Sequence, residues 1–121
     1  MLIYSLYKDN AARQHLDVQI SRGDSGSLQI DLKTETKIED GTQVLISLKR
    51  YVGDDTPIWE KTREIINNKL IIDITPQDTD IETMSYVWDF RILYSDTMIV
   101  SPIVPSSFRI LEVVGDVEGI E

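Results

Sequence analysis

Cysteine is absent from the 121 residues, which excludes a disulfide scaffold and any thiolate metal site. Histidine occurs once, at His15, so neither a two-histidine metal site nor a paired-histidine acid–base scheme can be assembled. No apolar run approaches the roughly 18 residues that a membrane-spanning helix requires. The first residues, Met1 to Asp9, carry no basic n-region and too short an apolar stretch for a secretory leader. Synthesis and folding in the cytoplasm are therefore expected. Basic clusters are missing too: the longest run is Lys49-Arg50, and 12 basic residues face 21 acidic ones for a net charge of −9. A phosphate backbone is thus not expected as a partner, and the acidity reads as solubility. Phosphate loops, dinucleotide fingerprints and a Gly-x-Ser-x-Gly elbow are not found. No catalytic residue, cofactor site or metal site is assigned, and no enzyme is expected.

What is present is strand chemistry. In Leu70–Ile74, Leu70, Ile72 and Ile74 alternate with Ile71 and Asp73. In Tyr86–Tyr94, Tyr86, Trp88, Phe90, Ile92 and Tyr94 form one row and Val87, Asp89, Arg91 and Leu93 the other. A period of two over that length predicts a half-buried strand. Between the two, Thr75-Pro76-Gln77-Asp78 reads as one capped helical turn, with Thr as N-cap, Pro at the first position and Asp at the third. A strand, a capped turn and a strand opening on Tyr is how many β-sandwiches pass from one sheet to the other, the Tyr hydroxyl bonding back to the corner.

The same alternation recurs along the chain. Leu16, Val18 and Ile20, then Leu28, Ile30 and Leu32, then Val44, Ile46 and Leu48 each line one side of a strand. Arg22–Gly26, Gly53–Pro57 and Asn67-Asn68 read as turns, and Asp40-Gly41 carries a hairpin signal. Ile58-Trp59 begins a shorter strand that fades into Glu60–Glu64. Pro102 and Pro105 mark an edge or crossover, since neither donates to a ladder. Phe108 and Ile110 make the last strand, with Val113 at its end and 115–121 as a polar tail. The expected fold is all-β: an Ig-like antiparallel β-sandwich of about eight or nine short strands, in one domain over 1–121, with a barrel as the alternative. That length buries roughly two thirds of the unfolded chain's surface.

Three patterns invite a functional reading. Arg22-Gly23-Asp24 spells an adhesion tripeptide, but Gly and Asp are also what a turn needs. Asp78, Asp80, Glu82 and Asp89 hold calcium-loop positions, yet Thr83 stands where the loop needs Gly, so a capped corner is expected. The row Tyr86-Trp88-Phe90 has the aromatics of a sugar platform; at strand spacing it reads as core. Leu2–Tyr7 differs from the other strands in being apolar on both sides, with Leu2, Tyr4 and Leu6 on one and Ile3 and Tyr7 on the other. A terminal strand normally has one side in water. Leu2, Ile3, Tyr4, Leu6 and Tyr7 are therefore the expected partner-facing residues, covered by a loop of the same chain or docked on, or exchanged with, a neighbouring subunit. Segment 1–8 is the expected docking strand, and Arg13 with Lys8–Asn10 its hinge.

Three segments in order carry a resemblance: Ser21-Arg22-Gly23-Asp24-Ser25, then Asp40-Gly41-Thr42 leading into Val44–Lys49, then Ile72–Thr79 leading into Tyr86–Ile92. Together they resemble the Ig-like N-terminal domain of phage baseplate upper proteins and related tail or head-fibre proteins, over about residues 18–114. The chain departs from that pattern at Met84-Ser85 and Pro105-Ser106-Ser107, where the family carries Gly. The resemblance implies a non-catalytic virion structural protein, assembled in the host cytoplasm, that docks on other virion proteins and on itself, without cofactor, nucleic acid or membrane. The expectation weighed against it is a cell-surface adhesin or carbohydrate-binding sandwich.

Overall fold

The computed structural model describes residues 2–7, 14–34 and 36–114. Among these, β1 (Leu2–Tyr7), β2 (Val18–Ser21), β3 (Gly26–Lys33), β4 (Thr42–Lys49), β5 (Trp59–Ile65), β6 (Lys69–Ile74), β7 (Ser85–Ser95), β8 (Met98–Val100) and β9 (Ser106–Leu111) are strands, and α1 (Pro76–Thr79) is a single turn of helix. The smaller sheet has the order β1-β3-β6; the larger runs β2-β9-β7-β4-β5, with β8 pairing the far end of β7. The expected 115–121 tail, Lys8–Asn10 and Arg13 lie outside the described residues.

The all-β, sandwich-like expectation is met, with one departure. β1 pairs β3 and β2 pairs β9 in parallel, while the remaining strand pairings are antiparallel. Alternation reports which residues face inward but carries no information on the direction of a neighbour. β1 and β2 follow one another in sequence yet belong to different sheets, so no hairpin forces them antiparallel.

The inward residues of both sheets meet in one core. Leu28, Ile30, Leu70 and Ile72 from the smaller sheet pack in a single cluster with Val44, Ile46, Trp88, Phe90 and Phe108 from the larger. Trp88 is 2% exposed and lies edge-on to Phe108 at 6.3 Å between ring centres. Its Nε1–H donates to the Leu16 carbonyl at 2.8 Å. The Leu16 N–H in turn donates to Ser106 Oγ, whose hydroxyl donates to the Val104 carbonyl. One indole therefore fills the space between the sheets and pins the segment leading into β2 against the β9 side. The inward row of β7 stops at Ile92: Tyr94, expected on the same face, is 38% exposed because the strand runs on past the core into the β7–β8 hairpin.

The corner forms as its residues dictate. The Thr75 side chain accepts from the Asp78 N–H and the Asp78 carboxylate accepts from the Thr75 N–H, a complete capping box. Tyr86, 1% exposed, donates its hydroxyl to the Glu82 carbonyl at 2.6 Å. Tyr86→Phe is expected to cost about 1 kcal/mol, the net value of one such bond, read as a lower urea midpoint at unchanged slope.

Two turn and strand expectations are corrected. Gly41, at φ +91°, does make the Asp40-Gly41 turn, with the Thr42 N–H bonded to the Glu39 carbonyl. It joins no hairpin, because β3 lies in one sheet and β4 in the other. Nor does the strand at Trp59 fade: β5 continues to Ile65, paired residue by residue with β4. It reads as polar because its inner row is Trp59, Lys61 and Arg63, whose charged ends find partners at the sheet margin.

Candidate functional site

Four ion pairs organise the end of the molecule where the corner lies. Lys61 of β5 meets Asp78 of α1, and Arg63 of β5 meets Asp73 of β6. Lys61 also donates to the Asp73 carbonyl at 3.1 Å, so these two cations screen the outer edge of β6. Arg22 meets Asp80 at 3.2 Å and Arg50 meets Glu82 at 3.1 Å, both in solvent. Glu82 raises the Arg50 guanidinium above its ordinary value, through its hydrogen bond first. The hydrogen bond from Arg63 holds the Asp73 carboxyl below the usual carboxylate range.

These pairs settle what the sequence motifs do in the structure. Arg22-Gly23-Asp24 is a turn closed by the Asp24 N–H on the Ser21 carbonyl, with Gly23 at φ +82°. Its arginine is engaged by Asp80, and buried Thr79 donates its hydroxyl to the Asp24 carbonyl. The tripeptide is thus joined to the corner. The carboxylates in calcium-loop positions are directed at separate cations, Asp78 at Lys61, Asp80 at Arg22 and Glu82 at Arg50. Among the described residues no three metal-ligating side chains converge. Micromolar calcium is expected to leave the melting temperature unchanged; a rise of several degrees would assign the carboxylates to a bound ion. Tyr86, Trp88 and Phe90 are each at most 2% exposed, which makes the aromatic row core and leaves no platform there for a sugar to stack on.

Leu2, Ile3, Tyr4, Leu6 and Tyr7 all fall in β1, at the margin of the smaller sheet. The register sets Leu2 beside Leu28, Tyr4 beside Ile30 and Leu6 beside Leu32. β1 is the outermost strand of that sheet among the described residues.

A second surface was not anticipated. On the outer side of the larger sheet, Leu45 and Lys49 of β4 and Val87, Asp89 and Arg91 of β7 floor a shallow groove of about 480 Å³. Val52 and Pro57 of the β4–β5 loop wall it at one side and Pro105 at another. Lys49, Asp89 and Arg91 take part in none of the ion pairs among the described residues. The row Val87, Asp89, Arg91, Leu93 was legible as the non-core side of a strand. That Val52, Pro57 and Pro105 gather around it depends on how the loops fold.

No protein-family model and no curated protein matches the chain. Among solved structures the chain is similar to the N-terminal domain of phage TP901-1 ORF48, at 10% identity and a TM-score of 0.44, over 92% of this chain and 96% of that one.

Proposed function

We propose that the chain is a non-catalytic structural domain of a phage or prophage virion, docking proteins together in a baseplate, tail or head-fibre assembly. One observation carries the reading. The three sequence segments that resemble baseplate upper proteins fall on the β2–β3 turn, the strand β4 and the β6–α1–β7 corner. The first and last of these are bonded to each other through Arg22–Asp80 and Thr79–Asp24. The resemblance therefore follows a connected part of the frame and not scattered surface.

In this reading Leu2, Ile3, Tyr4, Leu6 and Tyr7 of β1 face a neighbouring virion protein, and β1 supplies the open strand edge on which that neighbour adds. The test is the solution mass with negative-stain images of the full chain and of a variant lacking Met1–Lys8. The full chain is expected to form discrete higher assemblies, rings among them. The shortened one is expected to remain folded by circular dichroism and to lose those assemblies. Failure of the shortened chain to fold would place β1 in the domain's own core. A compact full-length monomer that binds a sugar would favour the adhesin alternative.

A further inference from the structure

The outward row of β7 reads Val87, Asp89, Arg91, Leu93: apolar, acid, base, apolar. Reversed, it reads apolar, base, acid, apolar, which is its own complement. We infer that this face of the larger sheet is the two-fold interface of a homodimer, with β7 of each copy lying antiparallel across β7 of the other. The axis lies in the plane between the copies and passes across the strands midway between Asp89 and Arg91. Asp89 then faces Arg91 of the partner subunit, and Arg91 faces Asp89 of the partner subunit. Val87 meets Leu93 of the partner subunit at both ends, as an isologous contact requires.

Two further features favour a second copy as the occupant, and the charge order sets its orientation. Neither Asp89 nor Arg91 has an ion-pair partner among the described residues, although five other ion pairs are formed there. The large exposed apolar side chains near this face also fall into two groups at its opposite ends. Tyr51 and Val52, 62% and 64% exposed, lie in the loop that follows β4, beside Val87 through the Lys49↔Val87 register. Met98 and Ile99, 54% and 52% exposed, lie on β8 beyond Leu93, where Leu93 pairs both Gln43 and Ile99. A copy laid parallel would set each charge on its like. The antiparallel copy sets each charge on its opposite.

This dimer is independent of β1 and of the virion reading. The test is sedimentation equilibrium of the full chain and three variants, with circular dichroism to establish folding. At high micromolar concentration the unaltered chain is expected to include a species at twice its 13.9 kDa mass. Arg91→Asp and Asp89→Arg, each of which places like charges face to face, are expected to stay folded and to lack that dimeric species. The double exchange, D89R with R91D, restores the complement and is expected to restore the dimer. A monomeric unaltered chain overturns the inference, as do single reversals that leave the dimer intact or a folded double exchange that stays monomeric. A dimer insensitive to all three variants but lost on removal of Met1–Lys8 would assign self-association to β1 instead.

Discussion

Trp88→Ala is expected to lower the free energy of unfolding by about 3–5 kcal/mol, the range for emptying a large aromatic site in a packed core. Three contributions act together. The cavity opens between the sheets, where Phe90 and Phe108 lose the ring they pack on. The Leu16 carbonyl loses the Trp88 Nε1–H that donates to it at 2.8 Å. The segment entering β2 is then held mainly through the Ser106 hydroxyl. Trp88→Phe refills part of the volume without restoring the donor and falls between the two, so the pair of variants separates packing from the hydrogen bond. Urea unfolding followed by circular dichroism provides both values. An unchanged midpoint for Trp88→Ala would mean that the aromatic row is surface, and the sugar-platform reading would return.

Asp78→Ala is expected to cost about 2–4 kcal/mol, because it removes a helix cap and strands a cation at once. The Lys61 side chain is only 10% exposed and the Asp78 side chain 15%. Without the carboxylate, the Lys61 ammonium retains the Asp73 carbonyl and loses its ionic partner. Asp78→Asn keeps an acceptor for the Thr75 N–H and should cost less. The double replacement Asp78→Ala with Lys61→Met should cost less than Asp78→Ala alone, since no unpaired charge is left behind. The same pair sets an acid limit. Burial pushes the Asp78 carboxyl up, but the hydrogen bonds from Lys61 and Thr75 outweigh it and hold it below its ordinary value of 3.8. A carboxyl depressed in the folded state stabilises at pH values above its unfolded value, and that stability is lost as pH falls through the folded value. Melting temperature should therefore fall below about pH 4, and fall less in the double variant. Asp73, also depressed, adds less because its side chain is 61% exposed and solvent screens it.

Local chemistry was enough for the corner: Thr75, Pro76 and Asp78 cap a turn through contacts within four residues, and Tyr86 reaches back only to Glu82. Asn67-Asn68 was legible for the same reason, and both residues take the left-handed conformation at φ +53° and +58°. β5 was misjudged where a local rule has no view of a partner. Lys61 and Arg63 look like solvent-facing residues until Asp78 and Asp73, ten or more positions away, are brought alongside them. Of the two candidate surfaces, β1 was legible because its double apolar face lies within one segment. The groove was not, because its walls come from separate loops.

Alternation along each segment determined the strands, their buried faces and the all-β class, because side-chain direction in a strand repeats every two residues whatever lies next to it. Which strands became neighbours, and in which direction, was decided only by the tertiary structure. The parallel placement of β1 beside β3 and of β2 beside β9 follows from where the chain crosses between sheets, and no periodicity records a crossing. That Asp89 and Arg91 enter none of the ion pairs among the described residues is of the same kind. Their spacing is written in the sequence, but which charges pair among the described residues is a property of the folded surface alone.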